Sequence, residues 1–340
     1  MAPFQFLVTT ATLSLAALSL SGLAQGRPLT TTAPADDDDD APIAACDCYK
    51  AMAFSSALFT HRKFFDFRNI PFPLTPAPIG RAADDAAAGP THPYFLTPAW
   101  SDTWGIRNWA SPGRGVIRVN SPNNVFIAAA DDDDHDHGHS SLSSSSTPVT
   151  THLTLRTLRH PAYQSTAEVE SHSMDYQFLT MRMRARTRGS SGAVTALFTY
   201  NGRTKPVQEA DYEIRTVTDP RVMQFTNQPG WDGQDKPDAT RIVTLPSPWT
   251  EWQEYRYDWT PGSSDWFFNG KRIASIQYQT PTEPLSVLMN VWSNGGGWSG
   301  VMKPGAEAEM QVQWFDLTYN STSEPAVGAC SKVCVIDDLI

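Results

Sequence analysis

The chain has 340 residues, 40% of them hydrophobic and 18% charged, with 11 Trp, enough apolar material for one large all-β domain or two ordinary ones and too much for a disordered chain. Its formal charge of -10 rests on two runs: Asp36 to Asp40, with Asp131 to Asp134 and Asp136, supply ten acids, and without them 26 acids face 26 bases. A body so near neutrality suggests neither nucleic acid nor an anionic membrane as partner and suits a neutral polymer better.

Residues 1–24 run from Met1 through a Leu- and Ala-rich stretch to Gly22-Leu23-Ala24, small residues at the positions a signal peptidase reads, which predicts a secretory signal peptide. Residues 25–45 are rich in Thr, Ala, Pro and Asp; they cannot bury a core and are read as a disordered arm. A single domain is expected over 46–335. Cys46 and Cys48 near its start face Cys330 and Cys334 near its end. Cys46 and Cys48 are too close to bridge each other comfortably, so in an oxidising compartment cross-links between the two ends are expected, with the pairing open. The final residues carry no hydrophobic tail of the kind that signals a lipid anchor, so the product is expected to be secreted, unanchored and monomeric.

Two low-complexity insertions are expected, near 76–93, rich in Pro, Ala and Asp, and near 128–148, where His135, His137 and His139 alternate with Asp before a Ser tract. His and Asp are suitable metal ligands, but a run without fixed geometry selects no ion, and this one is read as a solvated insertion with neither metal nor cofactor assigned.

From residue 150 onward, short runs of β-branched and aromatic residues alternate with turn residues: 153–158, 167–170, 177–185, 193–200, 209–217, 254–259, 265–268, 272–278, 285–291 and 308–319. Many short strands without a convincing helix predict a sandwich or barrel. Asn269-Gly270 between two of them favours a tight hairpin, because both residues accept positive φ.

The strand expected over 209–217 opens with Glu209, Asp211 and Glu213 in a Glu-x-Asp-x-Glu pattern. A period of two places the three carboxyls on one face. Crowded acids split their pKa values apart, the condition for one carboxylate to attack a sugar carbon while a protonated partner assists the leaving oxygen. Retaining glycoside hydrolysis needs the two groups roughly 5 to 5.5 Å apart, so a strand bearing them four residues apart must curve concavely. A solvated strand face is the plain alternative for the triplet alone.

The downstream segments, in their order, raise the weight of the triplet. They are Trp252-Gln253-Glu254-Tyr255-Arg256-Tyr257-Asp258-Trp259, Asp265-Trp266-Phe267-Phe268-Asn269-Gly270 and Met289-Asn290-Val291-Trp292-Ser293-Asn294-Gly295-Gly296-Gly297-Trp298. Over roughly residues 150–320 this resembles glycoside hydrolase family 16, the laminarinase and lichenase group. The paired terminal cysteines look like its secreted fungal members. The resemblance implies a concanavalin A-like jelly roll, two antiparallel sheets with a concave cleft, and hydrolysis of β-1,3 or mixed β-1,3/1,4-glucan. It implies that Glu209 is the nucleophile, Asp211 the assisting acid and Glu213 the general acid/base. Ala210 and Tyr212 stand where relatives usually carry β-branched or large aliphatic residues.

Sugar faces stack on aromatic rings, so Trp231, Trp292 and Trp298 are the candidate substrate platforms, with core packing the plain alternative for any one of them, and Asn227 is either a hydrogen-bonding partner of the sugar or a turn residue in Thr226-Asn227-Gln228-Pro229-Gly230. Asn320-Ser321-Thr322 is a glycosylation sequon. Two other outcomes share these residues: a cell-wall transglycosylase, if a sugar hydroxyl intercepts the glycosyl-enzyme, and a non-catalytic lectin, since the fold also serves pure binding.

Overall fold

A computed structural model describes residues 46–52, 57–111, 115–131, 150–324, 328 and 330–339. Among these, the chain forms β1 (Cys48–Lys50), β2 (His61–Asp66), β3 (Trp104–Ile106), β4 (Ala110–Ser111), β5 (Ile117–Asn120), β6 (Val125–Ala129), β7 (Thr151–Arg159), β8 (Tyr163–Ser171), β9 (Tyr176–Gly189) and β10 (Val194–Asn201). There follow β11 (Gln208–Arg215), β12 (Val222–Asn227), β13 (Thr240–Thr244), β14 (Gln253–Thr260), β15 (Ser263–Phe268), β16 (Lys271–Ile276), β17 (Ser286–Trp292), β18 (Glu307–Ser321) and β19 (Val333–Val335). Helix is confined to short turns, among them α1 (Ala82–Ala86) and α2 (Pro98–Ser101).

The strands build two antiparallel layers. One runs β13-β12-β11-β10-β17-β8-β3. The other runs β16-β15-β14-β9-β18, and β18 continues the layer through β2 along one half and β7 along the other. β8 joins the layers: residues 167–170 pair with β17 in the first, while residues 163–166 pair with β5, and 164 and 165 also with β7. This is a sandwich, one of the two outcomes expected from the strand spacing, and the all-β jelly roll that the resemblance implies.

Alternation decides which side chains fill the space between the layers. Leu197, Ala210, Tyr212, Ile214, Phe225, Met289 and Val291 of the first sheet meet Met181, Met183, Tyr255, Tyr257, Trp259, Trp266 and Phe315 of the second in one buried core. Tyr212 stacks on Tyr255 at 5.1 Å between ring centroids, so the aromatic that departs from the family pattern ties β11 to β14 across the sandwich. Full burial of such a side chain stabilises by roughly 1.5–3 kcal/mol. The Asn269-Gly270 turn forms as expected, with φ of 48° and 74° and Phe268 opposite Lys271.

At the ends, β1 pairs in parallel with β19, and disulfides join Cys46 to Cys334 and Cys48 to Cys330. The described residues all fall in one unit, Ala45–Ile340; Met1–Ala44, with the expected leader and most of the arm, lies outside them. Order runs past the expected boundary at 335: Ile336 is buried, and Asp337 pairs with Arg182 and Arg256. The second insertion starts later than expected, because Ala128 and Ala129 belong to β6, and 132–148 lies outside the described residues. The segment 76–93 is not a plain loop. It carries α1, and the buried Asp85 accepts a short hydrogen bond from the Tyr163 hydroxyl, whose oxygen also lies 2.8 Å from the Ile79 carbonyl.

Candidate active site

β11 pairs with β10 in unbroken register across eight residues, placing Tyr200 opposite Glu209, Phe198 opposite Asp211 and Ala196 opposite Glu213. On its other side, β12 sets Thr226 beside Asp211 and Gln224 beside Glu213. Since Ala210, Tyr212 and Ile214 fill the core, the intervening Glu209, Asp211 and Glu213 share the opposite face of the sheet. Asp211 is 3% exposed and the two glutamates are half-buried.

Burial sets the electrostatics. It raises Glu209 well above the usual carboxylate range, helped by the charge of Asp211, a hydrogen bond with Asp211 and the charge of Glu213. Burial also lifts Asp211 to about 6, against the hydrogen bonds from Gln228 and Glu209. Glu213 rises well above the usual range through burial and the charge of Asp211, with Arg215 opposing. Glu209 and Asp211 therefore share a proton and titrate as a pair.

Gln228 fixes where that proton can sit. Its Nε2 donates to Asp211 Oδ2 at 2.7 Å, and its Oε1 accepts from the Gly230 N–H at 2.8 Å. A backbone N–H can only donate, so the amide has one consistent orientation and Asp211 Oδ2 must accept. The shared proton is left to the other Asp211 oxygen and Glu209.

Farther across the same face lies a second pair of acids, Glu170 opposite Leu288 and Glu168 opposite Asn290. Each is already engaged. Glu168, raised by burial, accepts from Trp109 Nε1 at 2.9 Å, Asn120 at 3.3 Å and Asn290 at 3.4 Å. Glu170 is paired with Arg107, whose Nε donates at 2.7 Å, and accepts from Ser286 Oγ at 3.3 Å. Carboxylates whose lone pairs are so occupied by donors are poor nucleophiles, which sets them apart from the β11 triplet.

The expected platforms divide. Trp231 is 66% exposed on the loop between β12 and β13, and this loop starts at Gln228, whose N–H donates to the Glu209 carbonyl at 2.9 Å. Trp292 and Trp298 come together at the Glu213 end, stacked with centroids 5.9 Å apart. Arg118 lies 5.3 Å from the Trp292 ring and Arg215 5.2 Å from the Trp298 ring. Two separate platforms are thus one stack bracketed by guanidinium groups, and Trp231 presents the freer surface.

One expected site is corrected. Asn227 is fully buried opposite Ala210, on the core side of the sheet, and its Nδ2 donates to the Tyr278 carbonyl at 3.0 Å. It braces the loop and does not reach the cleft; its neighbour Gln228 does. Asn320 is half-buried; one Nδ2–H donates to the Leu58 carbonyl at 2.9 Å, and Oδ1 accepts from the Thr60 N–H at 3.0 Å. The disulfides and Asn320 belong to the chain ends and not to the acidic face. Among the described residues, no three His, Cys, Asp or Glu gather as a metal-ligand set; His135, His137 and His139 lie outside them.

Gln228, Tyr200, Glu168 and Trp109 are site residues that the sequence alone did not single out. For Tyr200 and Glu168 a signal existed, since strand alternation opposite core residues points them to the acidic face. For Gln228 and Trp109 there was none, because their contacts cross 17 and 59 positions through turns.

The sequence matches glycosyl hydrolases family 16 over residues 132–316. It is 28% identical over 145 residues to a β-glucanase of Bacillus subtilis (strain 168), covering 41% of this chain and 57% of that protein. It is 26% identical over 170 residues to a β-glucanase of Bacillus licheniformis, covering 47% and 67%. The matched stretch therefore spans from just over half to about two thirds of these relatives. Among solved structures, the chain is similar to a Bacillus licheniformis β-glucanase, with TM-score 0.50 and 21% identity over 64% of this chain and 92% of that one. It is similar to a prokaryotic β-1,3-1,4-glucanase (lichenase) from a mouse hindgut metagenome, with TM-score 0.52 and 15% identity over 76% and 99%. At such identities the structural likeness carries the fold alone.

Proposed function

The chain belongs to glycosyl hydrolase family 16, and from that premise we propose that it is a secreted retaining endo-glycosidase acting on β-1,3- or mixed β-1,3/1,4-glucan. The observation that carries this reading is the β11 triplet: three carboxyls on one face, electrically coupled, with both glutamates raised by burial. The name β-glucanase borne by the relatives supports the substrate class.

In the first step the Glu209 carboxylate attacks the anomeric carbon, while Glu213 gives its proton to the glycosidic oxygen and the leaving chain departs with a free hydroxyl. Glu209 must be ionised for this. That requires the shared proton to pass to Asp211, on the oxygen that Gln228 leaves open; the Gln228 bond itself favours an ionised Asp211, so the proton must move as the sugar binds. In the second step Glu213, now ionised, takes a proton from water, whose oxygen displaces Glu209 from the anomeric carbon. Two displacements retain the anomeric configuration. The two cystines, with the Leu- and Ala-rich start, support export to an oxidising compartment.

The direct test is Glu209→Gln. The variant is expected to fold and to bind laminarin or lichenan with little change while releasing no reducing ends; full activity would sink the assignment. Product analysis with an added oligosaccharide acceptor separates hydrolysis from glycosyl transfer, and binding without any product would indicate a lectin.

A further inference from the structure

A hollow of about 290 Å³ lies away from the acids, lined by Asp238, Arg241, Ser275, Gln277 and Tyr278. It occupies the flank of the sandwich where β13, the edge strand of the acidic sheet, packs against β16, the edge strand of the other. Resting on the β-glucan reading of the acidic face, we propose that this hollow is a second carbohydrate-binding site, which takes a neutral β-glucan chain where it runs over the β13 edge.

Its chemistry is what a pyranose chain needs: one aromatic face and several hydrogen-bonding groups of mixed kind. Tyr278 is 44% exposed. Ser275, Gln277 and Asp238 are exposed as well and spend no side-chain hydrogen bonds within the protein among the described residues. Arg241 is held in place from one side only, Nη1 donating to the carbonyls of Pro237 at 3.1 Å and Thr240 at 2.8 Å, which leaves Nε and Nη2 for other partners.

The wall is pre-organised. Asn227 Nδ2 donates to the Tyr278 carbonyl at 3.0 Å, Gln279 Nε2 donates to the Pro229 carbonyl at 3.0 Å, and Lys236 Nζ donates to Gln279 Oε1 at 3.2 Å. These bonds tie the Tyr278 segment to the loop that carries Trp231. A rigid ring surrenders little entropy on binding.

The position links the hollow to the acids. Across the acidic face, one row runs from Glu213 through Gln224 to Ile242 on β13, and Ile242 is 63% exposed. An apolar side chain left open beside the catalytic row suits a sugar face. The next residue back, Arg241, points to the other side of the strand and lines the hollow. A glucan long enough to cross Ile242 meets Tyr278 on turning the edge; a short oligosaccharide at the acids does not reach it.

The test uses the full chain as Glu209→Gln, with and without Tyr278→Ala and Arg241→Ala, in affinity gels containing laminarin or lichenan. The two exposed substitutions are expected to weaken retardation by the polymer about five- to tenfold. Introduced into the otherwise wild-type chain, they should leave kcat/KM on a tetrasaccharide within about twofold while raising the polymer KM. Equal retardation of the two proteins overturns the second site while the glucanase reading stands, provided the wild type cleaves glucan. Cleavage without any retardation of Glu209→Gln also overturns it. A wild type that neither binds nor cleaves any β-glucan overturns both.

Discussion

Gln228 Nε2 stands 2.7 Å from Asp211 Oδ2 and donates to it, with its orientation fixed by the Gly230 N–H on Oε1. This bond holds Asp211 below the value that burial alone would give it. Gln228→Met keeps the length and removes the donor. Asp211 then binds its proton more tightly, and the Glu209–Asp211 pair loses it at higher pH. The acid limb of the kcat/KM profile is expected to move to higher pH, with activity on the acid side reduced about tenfold, the weight of one hydrogen bond to a charged group. An unshifted limb would separate Gln228 from the proton shared by the pair.

Asp211→Asn tests the cost of ionising a buried acid. The folded value of about 6 lies above the ordinary 3.8, so between these limits the unfolded chain binds fewer protons and stability falls as pH rises. Asn preserves the shape, accepts from Gln228 and donates toward Glu209 without ionising. Its advantage over the wild type should be absent near pH 3, grow through pH 4 to 6 and level above, reaching up to about 3 kcal/mol. Urea midpoints at pH 3.5 and 8 check it; a larger gain at the lower pH would contradict the assignment of burial as the cause. Activity should fall in the same variant, since Asn cannot hold the shared proton.

The two ends of the acidic face should respond differently to truncation. Trp231 is freely exposed beside the loop at Glu209, whereas Trp292 and Trp298 stack on each other and on arginines. Trp231→Ala is expected to raise the polymer KM about five- to tenfold with kcat nearly unchanged, the pattern of a lost stacking contact. Trp298→Ala should lower the melting temperature as well, because it dismantles the stack. Steady-state kinetics alongside thermal melts distinguish the two.

Cys46–Cys334 and Cys48–Cys330 are nested, with sequence separations of 288 and 282 residues. Either one alone closes the long loop, and the other then adds only a short ring. In the chain-entropy account, removing one pair by Cys→Ser at both positions costs about 2–3 kcal/mol, whereas removing both costs about 8 kcal/mol. Denaturant midpoints of the two double variants and the quadruple variant measure this. Equal costs for one pair and for both would refute the redundancy.

Much of this molecule is legible in its sequence because strand period and turn chemistry act locally. Alternation put Glu209, Asp211 and Glu213 on one face, and the Asn269-Gly270 turn followed from φ preferences alone. β12 and β13 were missed, since Val222–Asn227 is interrupted by Gln224 and Thr226 pointing to the acidic face, and Thr240–Thr244 is an exposed edge strand with little to bury. Asn227 was misread because its loop setting resembles that of a free turn residue, and only the pairing with Ala210 reveals the buried face. Asp85 was hidden for a similar reason: in a Pro- and Ala-rich stretch nothing local announces a partner at Tyr163, 78 positions away.

The central claim, that Glu209 attacks the sugar and Glu213 handles the proton, is tested most directly by azide rescue of the two Ala variants on an activated β-glucoside. Glu209→Ala opens space on the attacked face, so azide displaces the leaving group once and the product is the α-glycosyl azide. Glu213→Ala keeps the nucleophile, so azide intercepts the glycosyl-enzyme in the second displacement and the product is the β-glycosyl azide. Nuclear magnetic resonance of the products reads the anomer. These two outcomes are the prediction; a β-azide from Glu209→Ala, or an α-azide from Glu213→Ala, would contradict the assignment of roles.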